Sequence, residues 1–132
     1  MPDPRSGGRP RRNLRTVGRY GEKLAENYLQ RHGFRILARN IHLRHAELDL
    51  VALEGHTLCF VEVRLRSGRA FGSGEESVDR RKQRRLYRAA AEVLATRSLP
   101  RYDTLRFDVV SIDAGQRPPQ VQLIRDAFRS DA

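Results

Sequence analysis

The stretch Ala46-Glu-Leu-Asp-Leu-Val-Ala-Leu-Glu-Gly-His-Thr-Leu-Cys-Phe-Val-Glu-Val-Arg-Leu-Arg66 decides how this chain folds. Two apolar runs, 46–53 and 58–66, flank Glu54-Gly-His-Thr57, where Gly55 supplies the positive φ that a tight hairpin turn needs. Side chains alternate along a strand. Glu47, Asp49 and Val51 are therefore expected on one face, with Leu48, Leu50 and Ala52 on the other. In the second run Phe60, Glu62, Arg64 and Arg66 face one way, and Cys59, Val61, Val63 and Leu65 the other. If Glu54 pairs with Thr57, the same register sets Asp49 opposite Glu62 and Glu47 opposite Arg64.

That register carries chemistry. Opposed Cβ atoms on paired strands lie roughly 4.5–5.5 Å apart, and like charges there repel. Two carboxylates so placed need a cation between them or a raised pKa in one of them. Neither Cys nor His falls on this face, so the donors are all oxygen, which suits Mg²⁺ or Mn²⁺ rather than structural zinc. A ladder in which Arg64 and Arg66 neutralise Glu47, Asp49 and Glu62 balances the same charges without a metal. The residues alone leave both readings open. A slip of one residue would part Asp49 from Glu62 and abolish the site.

The rest of the chain fits one modest domain. Its 132 residues suffice for a single apolar core. With 26 basic and 16 acidic residues the net charge is +10, and the sequence pI is near 11.1. Such a chain is expected to meet a polyanion, nucleic acid before an anionic membrane, although Arg-rich faces also serve solubility alone. Lys23 and Lys82 are the only lysines. Cys59, the sole cysteine, falls on the strand face away from the carboxylates, so no internal disulfide can form. No apolar run approaches the ~20 residues of a spanning helix, and no secretory core segment opens the chain. A cytoplasmic protein without a membrane partner is the expectation.

Residues 1–15, rich in Pro, Gly and Arg, read as a basic arm too polar to fold. Val17, Leu24, Ala25, Tyr28 and Leu29 recur at helical spacing from about Thr16 to His32, and Gly33 ends the run. Glu22 borders that helix's buried face. Phe34 to Leu43 reads as a strand ahead of the hairpin. Ser67 to Glu76 is a Gly-rich loop that matches no phosphate-cradling pattern. Ser77 or Asp79 can cap a second helix reaching about Thr96, with Leu86, Ala89, Ala90, Val93 and Leu94 inward. Arg80, Arg81, Lys82, Arg84, Arg85 and Arg88 crowd its start against the helix dipole, which suggests phosphate contact or a solvated face. Leu105 to Ile112 and Val121 to Ile124 read as strands, and 129–132 as a tail. The order αβββαββ predicts an α/β sandwich on a mixed β-sheet flanked by helices.

An acid on the first helix, an Asp in one strand and Glu-x-basic in the next resemble the PD-(D/E)xK nuclease superfamily. More closely, the chain resembles the YraN-type family of uncharacterised bacterial proteins, relatives of Holliday junction resolvases. The matching stretches include Gly18-Arg-Tyr-Gly-Glu22, Arg39-Asn40, Glu47-Leu-Asp-Leu-Val51, Phe60-Val-Glu-Val-Arg64, Lys82 and Arg106-Phe-Asp-Val-Val110, in order between about Val17 and Phe128. The resemblance implies a restriction-endonuclease-like core over 16–128 and nucleic acid, chiefly DNA, as the ligand. It further implies Asp49, Glu62 and the Val63 carbonyl as ligands of Mg²⁺ or Mn²⁺. Glu22 and Arg64 join Asp49 and Glu62 as catalytic candidates, with Glu47 at the rim. Arg66, Arg69, Arg80, Arg81, Lys82, Arg84 and Arg85 are candidates for gripping the nucleic-acid backbone, and a homodimer is implied by analogy.

Two positions depart from the family pattern: Ala46 replaces a usual Gly, and Arg64 a usual Lys. Arginine is a larger planar fork that does not deprotonate, so it activates water poorly. Lys82 would take the lysine's part if its helix end points at the strands. A Mg²⁺-dependent endonuclease on branched or damaged DNA, a non-catalytic nucleic-acid-binding module and a subunit docking an acidic protein all remain open. His32, His42, His45 and His56 are expected at surfaces or turns.

Overall fold

In the computed structural model residues 9–44, 46–66 and 78–129 are described, with side chains from residue 19 onward. The order is α1 (Arg9–Arg31), β1 (Phe34–His42), β2 (Glu47–Glu54), β3 (Thr57–Arg66), α2 (Arg80–Thr96), β4 (Thr104–Asp113) and β5 (Gln120–Phe128). This is the expected αβββαββ arrangement. α1 begins ahead of Thr16, so the arm read over 1–15 is helical from residue 9. The loop at 67–76 and Arg69 within it lie outside the described residues, as do 1–8, His45 and 130–132.

The five strands lie side by side in chain order. Every neighbouring pair is antiparallel except β3–β4, which is parallel and joined through α2, as parallel strands need a long crossover. The hairpin register is the expected one: Glu54 pairs with Thr57, Ala52 with Cys59 and Leu50 with Val61. Gly33 closes α1 at φ 92°, and Gly55 forms the hairpin turn at φ 60°. β5 extends to Phe128, past the expected end at Ile124.

The helices cover opposite faces. Ala25 and Leu29 of α1 pack on Leu50, Ala52, Cys59, Val61, Val110 and Ile112. On the other face Leu86, Ala89, Ala90 and Val93 of α2 pack on Val51, Leu53, Leu58, Phe60 and Val109. Gly21 faces the sheet, where a Cβ would stand in ordinary contact with the Leu65 side chain at 3.4 Å. Cys59 is fully buried, as expected of a small core residue. Asp79 caps α2, its Oδ1 accepting the Lys82 N–H at 2.9 Å. No helix among the described residues is long and apolar enough to cross a membrane.

The strict alternation expected of β2 breaks in one place. Leu50 and Ala52 pack beneath α1, but Leu48 packs with Val51 on the α2 side. β1 breaks with it: Arg39, paired with Leu50, reaches Glu26 of α1, while Ile41, paired with Leu48, lies on the α2 side. Between these pairs stand Asn40 and Asp49. Asn40 has φ 52°, a left-handed conformation outside the β region, although the pairing keeps its register across it and shifts only earlier, between Ile36 and Ala38. Asp49 therefore does not share a plain face with Glu47 and Val51. It sits in the seam where both strands swap sides.

Candidate metal centre

The hairpin has a clamped end and an open end. At the turn, Glu54 receives Arg106 Nη2 at 2.6 Å and a two-pronged contact from Arg125 at 2.9 and 2.7 Å. Arg106 also grips the fully buried Asp108 through Nε and Nη2 at 2.8 and 2.9 Å, and the Asp126 N–H donates to Asp108 at 2.9 Å. These guanidinium groups hold the Glu54 carboxyl down at about 2. Arg106 and Asp108 occupy one face of β4 by simple alternation, so an Arg-x-Asp inside an apolar strand was the available signal for this clamp.

At the other end the β2–β3 pairing runs out at Leu50 and Val61, and the acids gather there. Glu62, only 9 % exposed, points to the α2 side and meets Lys82 Nζ at 2.7 Å. Asp49 reaches across to β3, its Oδ2 accepting the Val63 N–H at 2.8 Å. The contact to Val63 is thus through its N–H. Glu22, half-buried on α1, approaches Asp49 from the opposite side of the sheet, and Asn40 lines the same small cavity beside it. The site straddles the sheet, with Glu62 and Lys82 from one layer, Glu22 from the other and Asp49 between.

Charge crowding marks this end. Burial and then the Glu62 carboxylate push Asp49 up to about 7, with Glu22 adding to the rise and the Val63 N–H and Lys82 opposing it. Glu22 is also raised, by burial and by Glu47 and Glu26, against the lowering pull of Asn40 and Asp49. Glu47 makes its contact on β1, where His42 Nδ1 is 2.8 Å away. Arg64 and Arg66 follow Glu62 along β3, both half-buried. Of the remaining histidines, His32 ends α1 and contacts the Tyr28 carbonyl, and His56 lies in the hairpin turn, both exposed as expected.

The donor set fits a divalent ion of the Mg²⁺ or Mn²⁺ kind. Asp49 and Glu62 offer oxygen donors only, and a cation between them would relieve the repulsion that raises Asp49. Among the described residues no three His, Cys, Asp or Glu side chains close into a ready cage. A cavity of about 670 Å³ between β1 and the end of α2 lies apart from this cluster, with Ile41, Val51, Val93 and Leu99 in its lining. Another, about 310 Å³, opens on the α1 side beside the cluster and is lined by Glu22, Asn40, Arg39 and Lys23 among others.

The crowding has a cost for folding. A carboxyl whose folded pKa is raised stabilises below its unfolded value near 3.8, and that contribution is lost as pH rises through about 7. Asp49→Asn removes the charge and keeps an acceptor for Val63. With chelator present, urea unfolding is expected to show this variant about 2 kcal/mol more stable than the parent at pH 8, and less so at pH 5.

The exposed arginines Arg80, Arg81, Arg84, Arg85 and Arg88 run along α2 from the end that brings Lys82 to Glu62. A parallel β3–β4 pair bridged by a helix, with acids massed at one end of a β-hairpin, defines a restriction-endonuclease-like α/β core. The chain belongs to the uncharacterised protein family UPF0102, whose model matches residues 21–112. A UPF0102 protein of Anaeromyxobacter sp. (strain Fw109-5) is 46% identical over 114 residues, 86% of this chain and 85% of the relative. Others from Pseudomonas aeruginosa (strain LESB58) and Rhodococcus opacus (strain B4) are 43% and 44% identical, covering 89% and 86% of this chain and 96% of each relative.

Asn40 was missed as a site residue by reading the sequence. Its signal was an Asn inside a strand, a residue that pairs poorly in sheets but tolerates positive φ.

Proposed function

We propose that this protein is a divalent-metal-dependent DNA endonuclease acting on branched or damaged duplexes, with Lys82 in the role that a strand lysine has in related enzymes. The observation that carries the proposal is the 2.7 Å contact between Lys82 Nζ and Glu62. It supplies, from α2, the ammonium that Arg64 denies to β3. Asp49 and Glu62 would hold Mg²⁺ or Mn²⁺, which when bound lowers the pKa of water and offsets charge on the phosphate under attack. Lys82, beside Glu62, would orient the attacking water and donate a hydrogen bond to the developing charge. Arg64 is suited to holding the phosphate as a planar fork. The arginines of α2, together with Arg66 and Arg69, would carry the backbone on either side.

Nicking of four-way and linear duplex DNA with Mn²⁺, compared among the parent, Asp49→Ala and Glu62→Ala, tests this reading. The expected result is metal-dependent cleavage that both substitutions remove. Cleavage that survives in both would refute the metal mechanism. DNA binding without any cleavage would favour a binding module that keeps the fold. About five phosphate contacts by α2 would weaken binding on the order of 10²–10³-fold between 50 and 200 mM salt.

A further inference from the structure

Asn40 combines three features that no core-forming role requires. It is a non-glycine residue at φ 52° inside a strand, where a β-region φ is the norm. It is flanked by the pairs Arg39–Leu50 and Ile41–Leu48, so it stands opposite Asp49. Its side chain lines the same small cavity as Glu22 of α1 and lowers that carboxyl's pKa against the effect of burial. A residue held in a sparsely populated backbone conformation costs on the order of 1–3 kcal/mol and persists where the surroundings impose it, often at functional sites.

The consequence is geometric. The side swap lies between Arg39 and Ile41 on β1 and between Leu50 and Leu48 on β2. In a regular ladder Asp49 would lie flat with Val51 under α2, and Glu22 would face it across the sheet's thickness. With the swap, Asp49 leaves the α2 layer, reaches the Val63 N–H and meets Glu22.

We propose that Asn40 is a positioning residue of the metal centre, its left-handed backbone turning Asp49 into the seam and its amide steering the Glu22 carboxylate onto the same point. The backbone and the side chain have separable tasks. Glycine keeps the positive φ and drops the amide, whereas β-branched valine strongly disfavours the positive φ. The inference rests on the metal reading for its purpose, but the placement of Asp49 can be measured without metal, because the Val63 amide reports it.

The experiment is amide hydrogen exchange at Val63 together with Mn²⁺ titration, on the parent, Asn40→Gly and Asn40→Val. Asn40→Val is expected to exchange Val63 at least ~10-fold faster and to bind Mn²⁺ more weakly than Asn40→Gly. Asn40→Gly is expected to keep parental Val63 protection while losing roughly 10-fold in Mn²⁺ affinity, the size of effect seen when a ligand's outer support is removed. Parental Val63 protection in Asn40→Val overturns the inference, whatever the metal does. Should that variant not fold, parental Mn²⁺ affinity in Asn40→Gly overturns the side-chain role, and loss of Val63 protection in it overturns the backbone role. A parent chain that binds no Mn²⁺ counts against the proposed function instead, and Val63 exchange then decides the inference.

Discussion

Lys82→Ala is expected to lower Mg²⁺-dependent nicking by about 10²–10³-fold, the usual effect of removing one charged donor aimed at a developing negative charge. The lysine contacts Glu62 from a helix, whereas in the Glu-x-Lys pattern that the chain resembles the lysine lies two residues beyond the glutamate on the strand. Adding Arg64→Lys to Lys82→Ala should therefore restore much of the lost rate, because an ammonium would return to the same carboxylate by a different route. Far-UV circular dichroism and urea midpoints of each variant separate turnover from folding. Parental nicking by Lys82→Ala would remove Lys82 from the mechanism. Failure of Arg64→Lys to rescue would show that the two positions do not serve one role.

The second large effect belongs to the other end of the hairpin. Asp108 has no exposed surface and takes two contacts from Arg106 and one from the Asp126 N–H. Asp108→Ala leaves a guanidinium that is 18 % exposed with half its partners gone, and an N–H without its acceptor. Breaking a buried pair from one side destabilises by about 3–5 kcal/mol, a large share of the 5–15 kcal/mol typical of a domain. The urea midpoint should fall accordingly, with Asp108→Asn intermediate because it keeps an acceptor. The same clamp sets an acid limit. Arg125 and Arg106 hold Glu54 at about 2, below its ordinary value. Their contribution is present above about 4.5 and is lost as pH falls toward 2. An unchanged midpoint in Asp108→Ala would mean that the β2–β4–β5 clamp does not hold the sheet together.

Much of this was legible because local rules act on neighbours. The Gly55 turn fixes the hairpin register, and register brings Asp49 and Glu62 to the same end of the sheet. Periodicity marks the inward faces of both helices, and the carboxylate side chain of Asp79 marks the start of the second. What escaped depends on contacts distant in sequence. Alternation alone assigns Asp49 to a flat face, because one Asn in a strand does not announce a positive φ until a partner strand bends with it. Arg106 and Asp108 look like an ordinary half-polar strand until Glu54 and Arg125, far along the chain, converge on them. The Lys82 contact with Glu62 needed the direction of α2, which spacing within a helix does not supply. Glu47, read as facing Arg64 on β3, contacts His42, its cross-strand partner on β1.

The most direct measurement is Mn²⁺ binding, followed by electron paramagnetic resonance or calorimetry, for the parent, Asp49→Asn and Glu62→Gln across pH 5.5–8.5. The account predicts a single site in the parent whose affinity rises with pH as Asp49 loses its proton near 7, and whose binding falls away in both variants. Equal binding in all three chains, or a parent affinity indifferent to pH, would contradict it.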